Sequence, residues 1–187
     1  MLARKVLIVL LIVAGAVAVV SSVAYVSTMG TGGSASGGLP NPYTNRAYGF
    51  MVQYPQGWKG YENYKLDSNT SSVVTFVGPN ASISIVAYTI PFGQSFDSID
   101  ASSKQANLGQ HKGYTMNLQS EGVGTLSGIP THVRVWIKKT PQGDYQEETL
   151  HFANQGRIYS IGFVTPSSLY NDQVGLFNQF LKSFSFI

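Results

Sequence analysis

The feature that most constrains this chain is an uninterrupted apolar segment close to its N-terminus. Residues 6–26, VLIVLLIVAGAVAVVSSVAYV, contain no charged side chain and follow directly on Arg4 and Lys5. As a helix this segment would be about 31 Å long, which matches the hydrocarbon thickness of a bilayer. A helix also satisfies its backbone hydrogen bonds internally, as lipid requires. Because Arg4 and Lys5 favour the cytoplasmic side, the segment predicts a membrane anchor with the rest of the chain outside the cytoplasm.

Two other interpretations of this segment stay open. It could be a cleaved signal peptide, since Ser22-Val23-Ala24 offers small residues at the positions that a signal peptidase reads, although the apolar run exceeds the usual core of about 7–15 residues. The chain would then be secreted. It could also be a buried core helix. We expect an anchor or signal segment over residues 1–26. A lipid-modified cysteine and disulfides are both excluded, because the chain contains no Cys.

Composition divides the remainder into a linker and one domain. Residues 27–42, STMGTGGSASGGLPNP, are rich in Gly and carry no charge, so they predict a flexible linker with a typical span of about 22 Å. Residues 43–187 are enough for a single domain with a substantial core. Asn69 and Asn80 stand in Asn-x-Ser/Thr triplets, which is compatible with export.

The charge pattern argues against nucleic-acid binding. Beyond Arg4 and Lys5 the chain holds ten basic and nine acidic residues, and Lys138-Lys139 is its sole remaining basic pair. A nucleic-acid-binding surface requires basic residues clustered on one face. We therefore expect a membrane and a protein as partners, and no nucleic acid.

Hydrophobic periodicity predicts a domain made mostly of strands. Ser95 is expected to cap one helix, over residues 95–110, and Thr165 with Pro166 at the first helical position is expected to begin a second. The expected strands cover residues 50–54, 72–77, 82–90, 114–125, 129–139, 145–154, 157–164 and 183–187. The segments 72–77 and 82–90 should form a hairpin, and the short turns between the four strands from 114 to 164 predict an antiparallel meander.

Four short motifs resemble the PsbP-like family, which is named for an extrinsic subunit of photosystem II. They are YGF…YP…GW in residues 48–58, LSGIP in 126–130, GRIYSI in 156–161 and KSFSFI in 182–187. The resemblance covers residues 43–187. It implies an α+β fold in which an antiparallel sheet is sandwiched between helices, an extracytoplasmic location, and a non-enzymatic accessory role. The anchor and linker are similar to those of prokaryotic relatives.

One hairpin places several chemically interesting residues on a single side of the sheet. If its turn is centred between Pro141 and Gln142, His132 lies opposite His151, and Trp136 lies opposite Glu147. Arg134 falls between them, opposite Thr149. A polar face with one large aromatic is typical of surfaces that meet a partner or ligand. The candidate site is therefore a partner or ligand face made of His132, Arg134, Trp136, Glu147 and His151. The alternative is a solvated or helix-covered face with incidental histidines.

The sequence offers little support for catalysis. Glu147 and Glu148 are adjacent in a strand and so point to opposite faces, which prevents them from acting as a paired acid and base. Gly122-Val-Gly124 lies in a strand region without a following helix, which predicts a β-bulge rather than a phosphate loop. We expect no enzyme activity, no cofactor and no metal site. The predicted function is a membrane-tethered accessory module for a membrane or envelope protein complex, and the alternative is an exported domain that binds a small ligand, lipid or metal.

Overall fold

A computed structural model describes residues 39–66 and 71–187. The predicted anchor at 1–26, residues 27–38 of the linker and the triplet at Asn69 lie outside the described residues. Within the described ranges, neither helix has the length and apolar character needed to cross a bilayer. The expectations for the N-terminal segment therefore stay predictions.

The described part of the chain contains eleven strands and two helices. Most strands connect through short turns, as the sequence predicts. The helices are α1 (Phe96–Asn107) and α2 (Tyr170–Ser183), and a short 3-10 turn at Ser167–Leu169 precedes α2. The strands are β1 (Asn41–Asn45), β2 (Phe50–Tyr54), β3 (Lys59–Glu62), β4 (Val74–Val77), β5 (Ser82–Thr89), β6 (Gly109–His111), β7 (Tyr114–Leu126), β8 (Ile129–Thr140), β9 (Gly143–Asn154), β10 (Arg157–Pro166) and β11 (Ser185–Phe186).

The strands form two antiparallel sheets. The larger sheet has the order β3-β4-β5-β10-β9-β8-β7-β6, and the smaller one has the order β1-β2-β11. The hairpin of β4 and β5 and the meander from β7 to β10 are both present, so these two predictions are confirmed. Long antiparallel strands with helices on both faces make this an α+β fold.

One face of the large sheet carries the apolar core. It packs against α2 and the small sheet through fully buried phenyl rings. Phe163 stacks on Phe177 of α2 with ring centroids 4.9 Å apart, and Phe76 contacts Phe180 edge to face at 5.7 Å. Six fully buried phenylalanines belong to this core, namely Phe50, Phe76, Phe152, Phe163, Phe177 and Phe180. At roughly 2 kcal/mol for each large apolar side chain buried, this face supplies most of the hydrophobic stabilisation.

Helix α1 covers part of the opposite face of the large sheet, which we call the polar face because it carries His132, Arg134, Trp136, Glu147 and His151. Ser95 caps α1, since its side chain accepts from the Ser98 N–H while the Ser98 hydroxyl accepts from the Ser95 N–H. The predicted cap is therefore confirmed. Apart from Ile99, the residues that α1 buries are polar, namely Asp100, Ser103 and Asn107. The sheet is thus enclosed between two helices with very different contact surfaces.

Two local predictions are wrong. Thr165 and Pro166 end strand β10, where they pair with Gln146 and Tyr145 of β9, instead of beginning a helix. The Thr165 hydroxyl donates to the carbonyl of Asn80, and a proline at a strand end costs little because no ladder donor is required there. The glycine pair Gly122 and Gly124 lies in regular pairing with β8, and the irregularity in β7 falls between Leu118 and Ser120.

Candidate functional site

The hairpin of β8 and β9 has the register that the sequence predicts. Thr140 pairs with Gly143 across the turn, which places His132 opposite His151 and Trp136 opposite Glu147. Arg134 pairs with Thr149. All five residues of the candidate site therefore lie on the polar face. Four of the five are buried, and His132 alone among them is partly exposed. Their use as a partner or ligand face stays a prediction.

A carboxylate from α1 holds the two histidines and the arginine together. Asp100 Oδ2 accepts a hydrogen bond from His132 Nδ1 at 2.6 Å, and Asp100 Oδ1 accepts one from His151 Nδ1 at 2.9 Å. Arg134 binds the same carboxylate in a bidentate manner, with Nη1 to Oδ1 at 2.7 Å and Nη2 to Oδ2. The side chains of Asp100 and Arg134 are 4% and 7% exposed. This group of four residues, the Asp100 cluster, joins α1 to strands β8 and β9.

In the Asp100 cluster, both oxygens of the carboxylate accept hydrogen bonds from positively charged or polar side chains. Burial would raise the pKa of Asp100, because an ionised carboxylate loses hydration inside the protein. Hydrogen bonds from Arg134, His151 and His132 outweigh burial and hold this pKa well below its usual range. The bond to Asp100 likewise raises the pKa of Arg134. The cluster therefore contains a permanent ion pair at neutral pH.

A second ion pair extends the Asp100 cluster to the edge of the sheet. Glu121 of β7 accepts a hydrogen bond from Lys104 Nζ of α1 at 2.7 Å, and its other oxygen lies 3.5 Å from Arg134 Nε. Lys104 lowers the pKa of Glu121. Because Glu121 is well exposed, solvent and salt weaken this pair, and it adds little to stability.

The centre of the polar face contains a buried acid that is not fully hydrogen-bonded. Trp136 Nε1 donates to Thr149 at 3.1 Å, and Lys138 Nζ lies 4.2 Å above the ring of Tyr114. Burial raises the pKa of Glu147 to about 8, and Lys138 offsets part of that effect. Burial in turn lowers the pKa of Lys138. Burial thus favours the neutral, protonated form of Glu147.

A small cavity adjoins Glu147. Within the described residues, Glu147 Oε2 has no hydrogen-bond partner. The cavity measures about 10 Å³, and its lining consists of Leu66, Ser84, Val86, Glu147, Thr149, Ser160, Gly162 and Val164. A volume of this size accommodates about one water molecule. This part of the polar face therefore has room for water beside Glu147 and too little room for a small organic ligand.

The geometry also limits what chemistry the cluster performs. Both histidines present Nδ1 to the same carboxylate, and that carboxylate is shared with Arg134. In residues 39–66 and 71–187, no group of three or more His, Asp and Glu is arranged to hold a metal ion. The arrangement instead orients His132, whose ring is 34% exposed, at the margin of the covered face.

One aromatic side chain packs beside the partly exposed ring of His132, and a second stands close to it in sequence. Its ring lies 5.2 Å from that of Phe96, the first residue of α1. Four residues earlier in the chain, Phe92 is fully exposed to solvent. It stands on a tight turn in which the Gln94 N–H donates to the Pro91 carbonyl at 3.1 Å. We call Phe92, Phe96 and His132 the aromatic rim.

The sequence interpretation did not include Asp100, Phe92 or Phe96 in the site. Asp100 lies close to the start of α1, where acids are common because the helix dipole favours them. The sequence nevertheless indicates that Asp100 faces the sheet. Ser103 lies three residues after Asp100 and four after Ile99, so these side chains share one side of the helix. Only the three-dimensional structure shows that this face lies over the predicted histidines.

The comparisons with known proteins bear on the fold. No protein-family model matches the sequence, and no curated protein is significantly similar to it. The structure is similar to that of cyanobacterial PsbP from Synechocystis sp. PCC 6803, with a TM-score of 0.59 and 14% identity over 87% of this chain and 99% of the other. It is also similar to a protein of Bacteroides thetaiotaomicron, with a TM-score of 0.55 and 12% identity over 80% of this chain and 49% of the other. The chain therefore has the PsbP-like fold that its motifs predict.

Proposed function

We propose that this chain is a non-enzymatic module that binds a protein partner beside a membrane, outside the cytoplasm. Residues 1–26 would attach it to the membrane, and residues 27–40 would serve as its flexible linker, because β1 begins at Asn41. The PsbP-like fold agrees with the accessory role that the sequence motifs imply. Attachment to the membrane would raise the effective concentration of the domain near other membrane proteins.

The observation that carries the proposal is the aromatic rim. Phe92 is fully exposed on a tight turn, and Gly93 in this turn has φ of +79°. His132 is fixed by Asp100 and packed against Phe96. The contacts of His132 and Phe96 hold these two side chains in place before binding, so binding would cost them little conformational entropy.

Aromatic side chains are also the residues that protein interfaces favour. They are enriched in interface cores and often dominate the binding energy. The other candidate residues on the polar face are buried, and the buried carboxylate of Asp100 is occupied by His132, Arg134 and His151. The rim is therefore the part of the candidate site that remains open to a partner.

Site-specific photo-crosslinking of the full chain in its own membrane would test this proposal. A photoreactive phenylalanine analogue placed at position 92 should give one discrete protein adduct. The matched control is the same analogue at Tyr61, which is 43% exposed on the edge strand β3. Equal adducts from both positions, or no adduct from position 92 in membranes that retain the chain, would contradict the proposal.

A further inference from the structure

Among residues 39–66 and 71–187, no strand covers most of the outer edge of β7. Strand β6 pairs with residues 114–116 of β7, whereas the rest of β7 pairs with β8 on its other side. No other strand of the described residues lies beside this part of β7. Residues 119–125 are all exposed. An exposed edge of this length presents unpaired backbone groups to which another strand can add.

The two glycines in this edge have no role in the packing of the domain itself. Neither has a positive φ. A Cβ atom on Gly122 would meet no atom within 4 Å, and one on Gly124 would make an ordinary contact of 3.8 Å with Val133. Glycine in a strand costs roughly 0.5–1 kcal/mol relative to alanine and often marks close approach by another backbone. The glycines are therefore explained better by a neighbour outside the domain.

The side chains of this edge are complementary to themselves. Val123, between the two glycines, is 83% exposed and lies on the polar face opposite His132. If two copies of β7 pair antiparallel about an axis through Val123, valine covers valine on the polar face. On the other face, Gly122 lies opposite Gly124 of the second copy, so no side chains meet there.

Charge disfavours a register centred on Glu121. With the axis at Val123, Glu121 lies opposite Thr125, and the two Glu121 side chains are four residues apart, roughly 13 Å along the strands. An axis at Gly122 would place Glu121 opposite Val123, and an axis at Glu121 would place two glutamates opposite each other. Like charges directly opposite are destabilising. Each Glu121 is already paired with Lys104 of its own copy.

We infer that this chain forms a symmetric dimer in which β7 strands of two copies pair antiparallel about Val123, so that the large sheet continues from one copy into the other. The occupant of the free edge is a second copy of this chain. A single valine contact with backbone pairing forms a small interface, and attachment to a common membrane would favour it by raising the local concentration. The inference does not depend on the partner proposed for the aromatic rim.

Single cysteines test this geometry, because the natural chain contains none. The test uses the full chain in detergent micelles and compares Val123→Cys with Thr125→Cys under mild oxidation. Directly opposite residues in antiparallel strands have Cα atoms about 4.5–5.5 Å apart, within the range that a disulfide spans. Two cysteines at 125 would be separated by four residues along the strands, which is too far.

We expect Val123→Cys to form a disulfide-linked dimer at least about tenfold faster than Thr125→Cys. Light scattering of the wild-type chain should show a dimer, and Val123→Lys should make it monomeric while Val123→Thr leaves it dimeric. Because position 123 is exposed, thermal unfolding should confirm that the variants are folded. Equal crosslinking at 123 and 125, or a Val123→Lys chain that remains dimeric, would overturn the inference.

Discussion

Replacing Asp100 by Asn tests the central feature of the structure, the tie between α1 and the polar face. The substitution keeps the size and shape of the side chain and removes its charge. It leaves Arg134 without its buried counter-ion, and it directs an amide N–H₂ towards groups that are themselves donors, namely His132 and His151. No cavity is created, so the cost measures electrostatics and hydrogen bonding.

The expected cost is large. Breaking a buried ion pair by removing one partner destabilises a protein by about 3–5 kcal/mol, because the other charge is left buried without compensation. Asp100 and Arg134 are 4% and 7% exposed, so little solvent screening reduces this value. For a domain of this size, a loss of 1 kcal/mol lowers Tm by about 2–4 °C. Asp100→Asn should therefore lower Tm by about 6–20 °C.

The matched control is Asp97→Asn in the first turn of the same helix. Asp97 is exposed and interacts with the helix dipole, which is worth about 0.3–1 kcal/mol. Thermal unfolding of the full chain in detergent, followed by near-ultraviolet circular dichroism, would compare the two variants with the wild type at pH 7. If Asp100→Asn costs no more than Asp97→Asn, the Asp100 cluster does not stabilise the fold.

The pH dependence gives an independent check on the same residue. The folded-state pKa of Asp100 lies below its unfolded value, so its stabilisation is fully present above about pH 4 and is lost as the pH falls further. The difference between wild type and Asp100→Asn should consequently be smaller at pH 2 than at pH 7. A difference that does not change with pH would contradict the assigned ion pair.

Three further predictions concern other parts of the chain. Burial raises the pKa of Glu147 to about 8, so the native state holds a proton that the unfolded state loses above about pH 4.5, and the stability of the wild type falls as the pH rises between these values. Urea unfolding should therefore show Glu147→Gln gaining stability relative to wild type from pH 5 to pH 9. A difference that stays constant with pH would contradict this. Gly122→Val should leave the free energy of unfolding unchanged or raise it by up to about 1 kcal/mol, because a Cβ atom at this position meets no other atom. A clear loss of stability would show that the domain requires this glycine. Intact mass and membrane fractionation of the expressed chain should show residues 1–26 retained and detergent needed for release, whereas a mature chain that lacks them would favour the signal-peptide interpretation.

The parts of the fold that sequence predicts well are those set by local chemistry. The register of β8 and β9 follows from the turn at Thr140–Gly143, because a short hairpin turn fixes every pair along both strands, and the pairs His132–His151 and Trp136–Glu147 confirm it. The cap at Ser95 is likewise a local signal. By contrast, Asp100 reaches His151 across 51 residues, and no periodicity within α1 indicates which strands lie beneath it.

The elements that were missed or misplaced have weak or conflicting local signals. Strands β1, β3 and β6 have five, four and three residues, and β3 is exposed throughout, so it shows no apolar alternation. Thr165-Pro166 has the chemistry of a helix start, but the pairing of β10 with β9 extends through both residues. Tertiary pairing outweighed local propensity there.

The contrast between the two helices has a consequence for how the domain would come apart. Helix α2 is held by the phenyl rings of Phe177 and Phe180, an attachment that acid leaves intact. Helix α1 buries a single large apolar residue, Ile99, and otherwise depends on a carboxylate. We expect strongly acidic solution, below about pH 4, to loosen α1 first, so that its amides exchange with deuterium before those of α2 and before those of the sheet. Such a partly opened form would leave the Phe-rich side closed while uncovering Arg134 and His151 to water.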